Sequence, residues 1–155
     1  MNFHGGATVN ESQLKESMMV VNPEIADEFE ASKPYKRFMK ILVDNEIFKD
    51  APLCITLVTY PPDAKCPPHS HGEAVEIYYV LEGRLTATVQ QMPYPIEKGR
   101  LIYIPHGKEH YAENREDQTC RFLAIHVPGV DDVAKVKREW TRISTRSKKE
   151  GKRYA

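Results

Sequence analysis

Four residues stand at spacings that suit a single divalent cation: His69, His71, Glu76 and His110. His69 and His71 are two apart in PPHSHGEAVEIYYVLEG, and in a strand that spacing turns both imidazoles to one face. Glu76 follows on the next extended run, and His110 arrives later, in PHGKEHYAEN. Three imidazoles and a carboxylate supply four lone pairs and one negative charge. An octahedral Mn, Fe(II) or Ni ion held this way keeps two positions for water or substrate. Such an ion polarises a carbonyl as a Lewis acid, or brings O2 and a chelated substrate together.

The spacing is more specific than the residue types. It reads H-x-H-x(4)-E-x(6)-G from His69 to Gly83, then G-x(5)-P-x-G-x(2)-H-x(3)-N from Gly99 to Asn114. The two blocks resemble the paired motifs of the cupin superfamily, and the resemblance covers about Leu53 to Val127. It implies a single jelly-roll barrel and one divalent transition metal per chain (Fe, Mn, Ni or Zn) on His69, His71, Glu76 and His110. One position departs: where the family opens its first block with Gly, this chain has Asp63. That position belongs to a turn, and Asp also accepts turn conformations.

The segments that must position these residues are short and β-rich. LCITLVTY, VEIYYVLEG, LTATVQQ, RLIYIP and CRFLAIHV are separated by Pro, Gly or polar turns, which argues for an all-β, closed antiparallel jelly roll. Residues 51–128 form the expected barrel, 1–50 an irregular N-terminal extension, and 129–155 a short C-terminal helix and basic tail. Within the extension, Glu24 to Ala31 reads as a short helix behind Pro23, and Arg37 to Val43 as an edge strand. Pro93 and Pro95 exclude a central strand at MPYPIEKG. Val130 to Trp140 reads as the helix, with Asp131 and Asp132 well placed at its start.

The 155 residues carry 22 basic and 22 acidic side chains, so no global field recruits nucleic acid or a membrane. Nine basic residues from Lys135 onward read as a solvated helix and tail. Interleaved aromatics are limited to Trp140 and Tyr154, so nucleic acid is not an expected partner. Cys54, Cys66 and Cys120 form no CxxC pair, and MNFHGGATVNESQ has no apolar signal core, so reduced thiols in the cytoplasm are expected. The barrel's sheet edge and the long extension suggest a two-fold homodimer.

Strand parity nominates further site residues. Tyr78 shares the face of Glu76 and is read as a general base, or else as an amphipathic core residue. Phe122, Ala124 and His126 share one face of the last strand, with His126 read as a core or dimer-interface residue beside an already filled ligand set. His106 falls at a turn tip and is left out of that set. Cys66 and Cys120 read as small buried residues or surface thiols. Arg84 and Arg100, beside the motif glycines, are the candidate carboxylate anchors. The expected ligand is a small organic acid or sugar derivative chelated to the metal, and the first reaction class is a dioxygenase. An isomerase or lyase is the second, and a non-catalytic binding barrel the third. EIYYVLEG and CRFLAIHVPG also resemble the cupin-type glucose-6-phosphate isomerases, whose phosphate-gripping residues have no match here. Glu76-x-Tyr78 resembles an arrangement in cupin dimethylsulfoniopropionate lyases.

Overall fold

Alternation along VEIYYVLE decides which side of its strand becomes the interior. Glu76, Tyr78 and Val80 are buried, while Tyr79 and Leu81 are exposed. In the computed structural model, which describes residues 20–32, 34–130 and 132–144, ten strands and one α-helix follow this logic. In chain order they are β1 (Glu28–Glu30), β2 (Phe38–Val43), β3 (Cys54–Tyr60), β4 (Val75–Glu82), β5 (Arg84–Val89) and β6 (Met92–Glu97). Then come β7 (Leu101–Ile104), β8 (His110–Glu113), β9 (Cys120–Val127), α1 (Asp132–Glu139) and β10 (Thr141–Ser144). The larger sheet runs β10-β1-β2-β3-β9-β4-β7 and the smaller β6-β5-β8, every pairing antiparallel. The fold is an all-β jelly roll with one short C-terminal helix.

Register stacks the interior into layers. Across the larger sheet, Cys54 pairs with His126 and His126 with Glu76; Thr56 pairs with Ala124 and Ala124 with Tyr78. Next come Val58, Phe122 and Val80, and the barrel core of Tyr60, Leu85, Ala87, Ala112 and Cys120 closes beyond them. Tyr60 and Tyr78 both meet Phe122 edge-on, with ring centroids 5.2 and 5.1 Å apart. A second cluster lies under the helix, where Val133 and Val136, three apart and so on one side, pack on Phe29, Ile41 and Cys54. Lys137 fastens the same helix to Asp44 at 2.7 Å and to Glu46.

The N-terminal elements differ from the sequence reading. Glu24 to Ala31 is not a helix: a 3-10 turn at Pro23–Ile25 gives way to β1, whose Phe29 side chain is buried under α1. That burial outweighs the weak helical preference of an eight-residue segment. The strand expected at Arg37 to Val43 is β2, and it is interior, paired with β1 on one side and β3 on the other. MPYPIEKG, where the prolines exclude a central strand, forms the edge strand β6, where proline's missing N–H costs no ladder bond. The expectations for residues 1–19, for Asp131 and for the tail from residue 145 fall outside the described residues.

The motif glycines are turn residues. Gly83, Gly99 and Gly107 have φ of 73°, 81° and 70°, and Asp63, at the departing position, has φ of 62°. At Gly83 a Cβ would meet the Thr119 carbonyl oxygen at 2.7 Å, whereas at Gly99 nothing lies within 4 Å. Gly83→Ala should therefore lose more stability than Gly99→Ala in urea denaturation, about 2–4 kcal/mol against about 1 kcal/mol. Equal losses would show that only the dihedral matters at Gly83.

Candidate metal centre

The two motif blocks meet through backbone pairing. His69 and His110 exchange both backbone hydrogen bonds, 3.0 and 2.8 Å, in an antiparallel bridge that continues β8. The Gly107 N–H donates to the His71 carbonyl oxygen at 2.8 Å, which seats the β7–β8 turn beside the histidine pair. Glu76 projects from β4 across the barrel. As a result, ligand atoms of His69, His71, Glu76 and His110 all lie within 4.8 Å of one another. Ligands held about 2.1 Å from a common centre stand about 3–4 Å apart, so this spread suits one ion.

The outer nitrogens settle which atom each ring offers. His69 Nδ1 donates to the Pro67 carbonyl oxygen at 2.9 Å, and His110 Nδ1 to that of Lys108 at 2.7 Å. A carbonyl only accepts, so in both rings Nε2 is the atom left for the centre. His71 Nδ1 lies 3.1 Å from the Asp132 carboxylate at the start of α1, and its Nε2 lies 3.3 Å from Glu76 Oε2. This is the carboxylate–imidazole support that metal-binding histidines use. The donor set fits a divalent ion.

His126, read from sequence as a bystander, faces the same cluster. Its Nε2 is 2.9 Å from Glu76 Oε1 and 3.2 Å from His71 Nε2, and Cys54 Sγ lies 3.5 Å from its Nδ1. The reason is register: His126 is the direct cross-strand neighbour of Glu76 on β9. The shared face with Phe122 and Ala124 was legible; the pairing with β4 was not. Together with His71 and Asp132 it forms a second cluster of ligating side chains.

Charges in this pocket are strongly perturbed. Burial alone would raise the Glu76 carboxyl, but hydrogen bonds from His110, His126 and His71 hold it well below its usual range. Burial opposes protonation of His71, yet Asp132 and then Glu76 overcome it and raise the imidazole to about 9. His126 is raised to about 10, burial again opposing and hydrogen bonds to Cys54 and Glu76 prevailing. The Tyr78 phenol is pushed well above its ordinary value, first by burial and then by the Glu76 charge.

A cavity of about 450 Å³ opens beside the cluster, lined at its inner end by Thr56, Tyr60, Tyr78, Phe122 and Ala124. Its outer wall comes from α1 and from the stretch before β2, through Val133, Val136, Trp140 and Arg37. Arg84 and Arg100, the anchors expected from sequence, do not line it: Arg84 pairs at the surface with Glu97 at 3.5 Å, and Arg100 is exposed in the β6–β7 turn. Their neighbouring glycines shape turns on the barrel exterior. Arg37 is the arginine that lines the cavity, and no motif marked it. His106 is exposed at its turn tip, while Cys66 and Cys120 are buried, with burial pushing the Cys120 thiol up to about 12.

Residues 56–126, from β3 to β9, match the Cupin domain family. An uncharacterised protein of Methanocaldococcus jannaschii is 29% identical over 114 residues, 71% of this chain and 91% of that one. The rhicadhesin receptor of Pisum sativum is 37% identical over 84 residues, 49% of this chain but only 39% of the receptor's length. Among solved structures, the polyketide cyclase RemF of Streptomyces resistomycificus is similar at a TM-score of 0.61 and 26% identity, over 71% of this chain and 79% of the cyclase. The barrel, residues 56–126, is a cupin domain. No helix among the described residues is long and apolar enough to cross a membrane.

His110→Ala should lose most of the bound metal by elemental analysis while keeping a cooperative unfolding transition, because the apolar core lies deeper in the barrel. Metal uptake must also displace a proton from His71, whose pKa is raised to about 9. Apparent affinity should therefore climb as pH rises toward that value, about tenfold per unit for each proton released, and then level off. An affinity flat from pH 6 to 9, measured by competition with a metal indicator, would contradict the ligand assignment.

Proposed function

We propose that this cupin is a metal-dependent enzyme that isomerises or cleaves a small organic acid bound in the cavity beside Glu76. The observation that carries the reading is the set of proton-bearing groups on the same wall as the ligands. Tyr78 lies two residues along β4 from Glu76, and His126 stands directly across from it. A divalent ion (Fe, Mn, Ni or Zn) held by His69, His71, Glu76 and His110 would supply Lewis acidity at this wall. The chain's own residues supply proton transfer and an apolar floor formed by Phe122 and Ala124.

Tyr78 is read as the group that moves the proton. In the chain by itself, burial and then the Glu76 charge favour the protonated phenol. Service as a base needs a nearby cation to outweigh the Glu76 field. His126, with its proton held by Glu76, is positioned to pass it along the same wall. The cyclase that shares this fold supports reading the barrel as a catalyst.

The dioxygenase reading stands second, supported by the same His3Glu set and by a cavity of about 450 Å³ with room for a second small reactant. Turnover under strict anaerobiosis separates the two: the first reading requires it, and dependence on O2 reverses the order. Reversible binding of an acid without any turnover makes the barrel a binding protein. Tyr78→Phe should keep metal and fold but lose about 10²–10⁴-fold in turnover, the usual worth of a positioned proton-transfer group. Near-normal turnover reduces Tyr78 to cavity lining.

The reading extends to assembly and compartment. Tyr79 and Leu81 on β4, with Leu101 and Tyr103 on edge strand β7, leave an apolar outer strip suited to a two-fold homodimer. Light scattering at micromolar concentration should return twice the chain mass. Three free, buried thiols favour a reducing compartment, the cytoplasm.

A further inference from the structure

Arg37 is held in a way that leaves its charge for something else. It is half-buried at the start of β2, where Nη1 donates to the carbonyl oxygens of Tyr35 at 2.9 Å and Lys65 at 3.4 Å. Its guanidinium lies over the Trp140 ring, 4.6 Å from the centroid. Both partners orient the fork without neutralising it, since carbonyls and a π-face remove no positive charge. No carboxylate among the described residues pairs with it, whereas Arg84, Arg115, Arg121 and Arg142 each have one.

The location gives that charge a use. Arg37 lines the same cavity as His69, His71 and Glu76. Tyr60, fully enclosed, feels both ends: its phenol is raised chiefly by burial, lowered by Arg37 and raised by Glu76. The wall between these poles is mostly apolar, with Met39, Val58, Phe122, Val133 and Val136, and α1 adds the carboxylates of Asp132 and Glu139. The other permanent cation along the cavity among the described residues, Lys135, is exposed on α1 and so hydrated. One oriented guanidinium over an apolar wall matches a planar monoanion better than a phosphate dianion.

We infer that Arg37, braced by Trp140, anchors the carboxylate of an organic acid with an apolar body, whose second oxygen-bearing group faces the His/Glu cluster. The orientation of the ligand rests on the reading of that cluster as the reacting end; the anchoring does not. Arg37 is thus a specificity-determining residue, contributed from outside both sequence motifs.

The test is calorimetric titration with benzoate, phenylacetate and 4-methylpentanoate, each beside its neutral amide, on EDTA-stripped and on Mn-loaded protein. At least one acid should bind about tenfold or more tightly than its amide in both preparations. Arg37→Gln should abolish that preference while leaving amide affinity and Mn content unchanged. Arg37→Lys, which keeps the charge but lacks the fork, should keep only a small part of the preference; it decides the matter if Arg37→Gln does not fold. No acid preferred over its amide in the unaltered protein, or a preference that survives both substitutions, overturns the inference. A preserved preference in protein that takes up no metal leaves the inference standing and removes the proposed metal-dependent reaction.

Discussion

A single buried carboxylate organises this molecule. Left unpaired in the barrel interior, the ionised Glu76 side chain would carry a desolvation penalty of several kcal/mol. Here His110 and His71 approach one of its oxygens, at 2.6 and 3.3 Å, and His126 approaches the other at 2.9 Å. Each imidazole comes from a different place in the chain. The β7–β8 turn, the bridge between His69 and His110, the β4–β9 register and the docking of Asp132 against His71 therefore converge on compensating one charge. Two of those imidazoles, His71 and His110, also stand with His69 and Glu76 as a donor set ready for a cation.

Much of this was legible because it depends on local geometry. Period-two alternation placed Glu76 and Tyr78 on one face, and the structure buries both while exposing Tyr79. The motif glycines marked turns whose positive φ other residues rarely adopt. Asp63 confirms the same turn geometry at the one position that departs from the pattern, and its N–H donates to the Asn114 carbonyl oxygen at 3.1 Å. Asn114 in turn spends its amide on the carbonyls of Tyr60, Pro61 and Gln118, a structural use of a motif residue outside the ligand set.

What escaped the sequence is non-local. His126 joins the site because β9 lies between β3 and β4, a neighbour relation that parity on one strand cannot supply. Arg37 escaped because β2 reads as a weak edge strand until β1 covers its far side. Glu24 to Ala31 misled for the opposite reason. Its proline and acidic residues suit a helix start, but Phe29 gains more by packing under α1 than a short isolated helix could return.

The residues of the His/Glu cluster and of the cavity fall into two territories. His69, His71, Glu76, Tyr78, His110 and His126 lie within or at the end of the span 56–126 that matches the Cupin domain. Arg37, Asp132, Val133, Val136 and Trp140 lie outside it, on the stretch leading into β2 and on α1 and its C-terminal end, yet they wall the same cavity. Strand pairing between β1 and β10 joins these two flanks into one frame around the mouth. On the proposed reading, reactivity and ligand choice are therefore encoded in separate stretches of sequence. On that reading, kinship measured over residues 56–126 alone leaves out the residues that wall the outer cavity.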